Sequence, residues 1–203
     1  MNKRGDGMNN INFEPGDIVL SYGPKRKLKN FFSELIIWGI RFFTTDFWVG
    51  EPFTHVHHAE MIYTPNGFDS IDITEEPPCI RLMDFGSKRK LVVRLINKPA
   101  NFEELFDQYC TEVLGKKVRY DYIRFFAFVL DWMFRTVKFS RWLANRDENV
   151  CSGAVAKFYE NRVWAPCSRK HWYSTVPDDI HDYVLKRPTI FVIVFDGREY
   201  PDK

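Results

Sequence analysis

The sequence predicts an α+β domain in which an antiparallel sheet packs against helices. Three observations carry this. Short apolar runs with period-two alternation, punctuated by Pro and Gly, fill much of the first half of the chain. Helical periodicity dominates from about residue 101 to residue 161. A last apolar run, residues 189–195, stops at Asp196-Gly197. The chain has 203 residues, enough for one domain with a real core. Residues 1–10 read as a flexible tail and residues 11–203 as the single domain, with no repeat and no linker.

In order, Glu14-Pro15-Gly16-Asp17 is a turn and residues 18–22 a short strand, broken by Gly23-Pro24. Residues 29–43 read as a helix with Phe32, Leu35, Ile36, Trp38 and Phe42 near one face. Residues 54–63 alternate as a strand. His58, Glu60 and Ile62 share one face; His57, Ala59, Met61 and Tyr63 share the other. Thr64-Pro65-Asn66-Gly67 is a turn that starts a hairpin, and residues 68–73 return with Phe68, Ser70 and Asp72 on one face. Residues 79–82 and 91–95 are further strands. Asn101 caps a helix with Glu103 and Glu104 in its first turn, stopped by Gly115. An aromatic helix is expected over 123–138, a charged connector over 140–148, a helix over 150–161 and a helical turn opening at Pro177.

Composition narrows the function. Lys and Arg number 29 against 27 Asp and Glu, a net charge of +2, too balanced to argue for nucleic acid. The basic runs at 25–29 and 88–90 read as solvated loops. Hydrophobic residues make up 45% and aromatics 17%, which marks a globular chain rather than a disordered one. Cys79, Cys110, Cys151 and Cys167 include no C-x-x-C pair and do not form a disulfide scaffold, so a reducing compartment is expected. The start of the chain is polar, and the apolar segments carry charges; neither a signal peptide nor a spanning helix is expected. A cytoplasmic location follows, with delivery by lysis or by a phage particle as the route to any outside substrate.

The chemistry gathers at Asn149-Val150-Cys151-Ser152-Gly153. Asn149 is a natural N-cap, which puts Cys151 in the first turn of a helix. There the free backbone amides and the helix dipole favour a thiolate. A small buried hydrophobe is the plainer role for such a cysteine. A catalytic one needs an imidazole, and His55, His57 and His58 lie more than 90 residues upstream. The same three histidines with Glu60 could instead supply metal ligands, though no downstream ligand motif matches them.

Papain-type enzymes place the cysteine before the histidine. Here the order is reversed, and five stretches carry a likeness. They are Pro15-Gly16-Asp17-Ile18-Val19-Leu20, His58-Ala59-Glu60-Met61-Ile62-Tyr63, Gly115 through Tyr120-Asp121-Tyr122, Asn149-Val150-Cys151-Ser152-Gly153, and Val176-Pro177-Asp178-Asp179-Ile180. In order and spacing they resemble the circularly permuted papain-fold hydrolases related to NlpC-type peptidases, the group called YiiX-like or YebB-like; lecithin retinol acyltransferase is a more distant relative. Gly153 departs from the Glu that usually follows Cys-Ser in that group.

The resemblance implies a permuted papain-like fold and a thiol hydrolase or acyltransferase cleaving an amide or ester. Cys151 would be the nucleophile and His58 the base, chosen over His55 by its distance to the Pro-Asn-Gly turn. Asp72 would hold the imidazole, with Asp69, Ser70 and Glu60 as competitors; Glu60 could orient the ring or line the pocket. No cofactor is called for. Cell-wall peptides and lipid amides or esters are the implied substrates, with a peripheral membrane or lipid contact as a further expectation. Aromatics in 31–43 and 125–134 suggest an apolar groove that suits acyl chains better than charged muropeptides. Two other classes stay open: a non-catalytic papain-fold protein binding a partner through its aromatic helix, and a metal-dependent enzyme built on the histidine cluster.

Overall fold

The computed structural model describes residues 12–22, 56–64, 69–72, 78–83, 89–115, 127, 130–131, 133–136, 138–143 and 151–197. The predicted helix over 29–43, Asn149 and His55 lie outside this set, as do the side chains of His57 and Asp72.

Six strands form one antiparallel sheet: β1 (Ile18–Tyr22), β2 (Val56–Ile62), β3 (Asp69–Asp72), β4 (Cys79–Leu82), β5 (Arg89–Leu95) and β6 (Phe191–Asp196). Their spatial order is β4-β3-β2-β1-β5-β6, so β1 and β2 are central. Among the described residues there are four α-helices: α1 (Phe102–Gly115), α2 (Lys138–Leu143), α3 (Cys151–Asn161) and α4 (Pro177–Leu185). The α+β class and the antiparallel sheet are as the alternation predicts.

Alternation along the strands sorts side chains onto two faces. Ile18, Leu20, Ala59, Met61, Ile71, Leu91, Val93 and Leu95 pack in the main core with the buried sides of α1, α3 and α4. Val19, Ile62 and Val92 point the other way and pack with Phe13 and Met83. The helix α3 is buried over Cys151–Ala156 and again at Phe158 and Tyr159. Its opening residues Cys, Ser, Gly and Ala are small, so the start of the helix can approach the sheet closely.

The Pro-Gly-Asp motif explains how β1 is set in place. Gly16 has φ +82°, a left-handed conformation natural to glycine, and a Cβ there would lie 2.6 Å from the Phe102 ring. Asp17 is fully buried. It accepts from the Glu14 amide at 2.9 Å and takes both Nε and Nη2 of Arg94, at 2.9 and 2.8 Å.

The predicted aromatic helix over 123–138 and the connector after it need correction. The chain turns at Phe134 and Arg135, the latter with φ 48°, and a new helix, α2, starts at Lys138. The cause is Asp131, whose buried carboxylate accepts the amides of Phe139 and Ser140 at 2.9 and 2.8 Å as well as the Ser140 hydroxyl. That carboxylate satisfies first-turn donors of α2, as an N-cap would.

Candidate active site

Cys151 is the first residue of α3 and is 5% exposed. Three hydrogen bonds to separate segments hold this helix. The Ser152 hydroxyl donates to the Thr175 carbonyl at 2.8 Å, the Tyr109 hydroxyl to the Ala154 carbonyl at 2.8 Å, and the Tyr159 hydroxyl to the Gly16 carbonyl at 2.7 Å. The last bond joins the helix of the cysteine to the Pro-Gly-Asp turn.

His58 comes from β2 at an irregularity in the ladder. Ser21 pairs with His58 and Tyr22 with Val56, so His57 is an extra residue in β2, a β-bulge. The bulge interrupts strict alternation beside His58. Its ring then bridges two groups: it hydrogen-bonds the Cys151 thiol, and its Nε2 lies 2.9 Å from Glu60 Oε1.

The electrostatics of the pair follow from burial and charge. Burial alone would push the His58 pKa down; the charge and hydrogen bond of Cys151, then those of Glu60, outweigh it and raise the value to about 10. Burial alone would push the thiol up. The charge and hydrogen bond of His58, with the backbone amides of Ala59 and Ser152, hold Cys151 below its ordinary value instead. Both shifts run toward a thiolate beside an imidazolium.

Glu60 anchors the other side of the ring. It is 2% exposed, accepts from Arg81 Nη2 at 2.6 Å, and accepts the Ser70 hydroxyl. These partners stand on β4 and β3, in register across the sheet through the pairs Ser70–Arg81 and Ile62–Ser70. Burial works to raise the Glu60 pKa, but His58, Arg81 and Lys90 together hold it well below the usual carboxylate range. Lys90 corrects the expectation of a solvated basic loop at 88–90. It lies in β5, 2% exposed, within the field of Glu60. A buried ammonium is tolerable only with such a counter-charge.

Cys151 and His58 are thus brought together as the sequence suggests. Asp72 stands at the end of β3, paired through its backbone with Cys79, while its side chain lies outside the described set. The carboxylate observed on His58 belongs to Glu60. Ser70 touches Glu60, and Asp69 accepts from the Thr64 hydroxyl at 3.1 Å in the turn. Arg81 and Lys90 are site residues that sequence reasoning missed. Alternation from Val92 to Lys90 along β5 was the available signal for Lys90; Arg81 reaches Glu60 by its cross-strand register with Ser70. Most of the aromatics expected to line a groove lie outside the described residues; Phe134, which is described, is exposed.

The other cysteines differ in kind. None of the four cysteines forms a disulfide, but burial pushes Cys110 up to about 12, and burial raises Cys167 as well. For metal chemistry, His58 is engaged with Cys151 and Glu60. Among the described residues one trio, Asp178, His181 and Asp182 on α4, has potential ligand atoms within 4.8 Å of one another. Asp182 there is already paired with Lys186 at 2.9 Å.

The fold and site together define an α+β protein with a buried cysteine, histidine and glutamate in contact. No protein-family model, curated protein or solved structure matches the chain. No helix among the described residues is long and apolar enough to cross a membrane.

Proposed function

We propose that this protein is a thiol hydrolase or acyltransferase of the circularly permuted papain type, acting on an amide or ester. One observation carries the reading: Cys151 at the start of a buried helix hydrogen-bonds His58, whose Nε2 is 2.9 Å from a buried carboxylate. The order of the motifs along the chain supports the same class.

In this mechanism the Cys151 thiolate attacks the carbonyl carbon, and the π electrons move to oxygen. Backbone amides at the start of α3, that of Cys151 first, receive the oxyanion. Imidazolium His58 gives its proton to the leaving amine or alcohol as the bond to carbon breaks, leaving an acyl thioester. Neutral His58 then takes a proton from water or an acceptor alcohol, which attacks the thioester and regenerates the thiolate–imidazolium pair. Glu60, one of the alternatives to Asp72, holds the ring and stabilises its charge throughout. Arg81 and Lys90 keep Glu60 ionised.

The test is acyl-enzyme capture. Incubation with activated esters and amides of varied acyl length should leave an acyl mass on the peptide carrying Cys151. Cys151→Ala should fold normally, take up no acyl group and turn over nothing. Turnover by Cys151→Ala equal to the parent removes the thiol mechanism.

A further inference from the structure

We propose that the corner formed by residues 133–136 and 138–142 docks this protein on an anionic lipid surface. The corner is apolar, basic and rigid at once. Met133, Phe134 and Trp142 are 57%, 62% and 78% exposed. The Phe134 ring lies 6.0 Å from that of Phe139, and Trp142 follows Phe139 by three positions on α2, so the rings form one strip. Arg135, Lys138 and Arg141 are exposed around it, and residues 133–142 contain no acidic residue. The buried face of α2, Ser140 and Leu143, points inward.

Rigidity comes from Asp131, which fixes the turn and α2 by accepting the Phe139 and Ser140 amides. The Thr136 amide also donates to the Asp131 carbonyl, at 2.8 Å. Side chains presented on a fixed corner lose little further freedom on docking.

Charge decides the occupant. Three cations without an intervening acid, set around aromatic and thioether side chains, match a membrane interface. There phosphate and carboxylate headgroups meet the cations while the rings enter the headgroup–acyl boundary. Aromatic rings favour that depth, and Lys and Arg reach back to the headgroups. The docking needs no chemistry at Cys151.

The experiment is co-sedimentation of the full chain with vesicles of phosphatidylcholine, with and without phosphatidylserine. The parent should bind the phosphatidylserine vesicles and release them as salt is raised. The variant R135Q/K138Q/R141Q should lose roughly fivefold in affinity for each charge removed. F134A/W142A should lose at least about tenfold, the value expected if the two rings are only partly buried in the interface. Both variants change exposed residues and should melt like the parent. Failure of the parent to bind phosphatidylserine vesicles overturns the proposal, as does equal binding by either variant. Binding to polyglutamate with none to vesicles also overturns it, and makes the corner an acidic-protein interface instead.

Discussion

Removing the imidazole should leave Cys151 an ordinary buried thiol, and alkylation kinetics can read this without a known substrate. A thiol of ordinary pKa, about 8.5, is about 0.3% ionised near pH 6. The Cys151 thiol, whose pKa is lowered by His58 and by the Ala59 and Ser152 amides, should be more ionised there than an ordinary thiol. Ionisation alone therefore favours the parent over His58→Ala near pH 6, with about 300-fold as the ceiling reached at complete ionisation. A thiolate of lower pKa is intrinsically less nucleophilic, with a Brønsted slope of about 0.4–0.5, which returns up to about thirtyfold. The net expectation is that the parent reacts several-fold faster with iodoacetamide near pH 6, about tenfold at that ceiling, narrowing as pH rises. Cys151 is only 5% exposed, so access limits the absolute rate, and any access opened by removing the His58 ring works against the expected difference. The assay is peptide mapping by mass after timed alkylation, with melting curves confirming that both proteins are folded. Equal rates near pH 6, or faster labelling of Cys110 or Cys167 than of Cys151, would refute the ion pair.

Four other outcomes follow from the same geometry. Glu60→Ala should remove most turnover, whereas His55→Ala and His57→Ala should keep most of it; steady-state rates with the best ester found above will decide. Glu60 has a depressed folded pKa, so its stabilisation is complete above the unfolded value of about 4.3 and is lost as pH falls below it. Urea titrations between mildly acidic and strongly acidic buffer should thus show a steeper acid loss for the parent than for Glu60→Gln. Gly16→Ala should cost about 2–4 kcal/mol in urea unfolding, from the left-handed backbone and the displaced Phe102 ring together. Asp131→Ala should cost about 1–3 kcal/mol by the same measure, since the buried amides of α2 lose their acceptor.

Much of the fold was legible because strands and helices announce themselves by period. The alternation of residues 54–63 gave β2 and put Glu60 with Ile62 on one face, which the structure turns away from the main core. Gly115 ends α1 as expected. The candidate site was legible in Cys151 and His58, since a helix-start cysteine and a strand histidine are local patterns. The orienting acid was harder. Asp72 and Glu60 both fit a hairpin, and choosing between them requires knowing where the imidazole points. The bulge at His57 affects that direction, and single-strand alternation cannot foresee it. Lys90 was misread because a basic triplet looks solvated until a carboxylate from another strand is placed beside it. The break before α2 was hidden too, because Asp131 caps residues eight and nine positions ahead.

The three bonds from Tyr109, Ser152 and Tyr159 make α3 a fixed post. A sulfur mounted on a post cannot travel to meet a ligand. If Cys151 attacks a carbonyl, as proposed, the ligand must supply the reach. A carbonyl at the end of a slender, unbranched arm can meet a thiol that is 5% exposed, whereas bulk next to the carbonyl would strike the surrounding wall first. Selection among substrates would then turn on branching beside the scissile bond, before any headgroup or distant side chain is read.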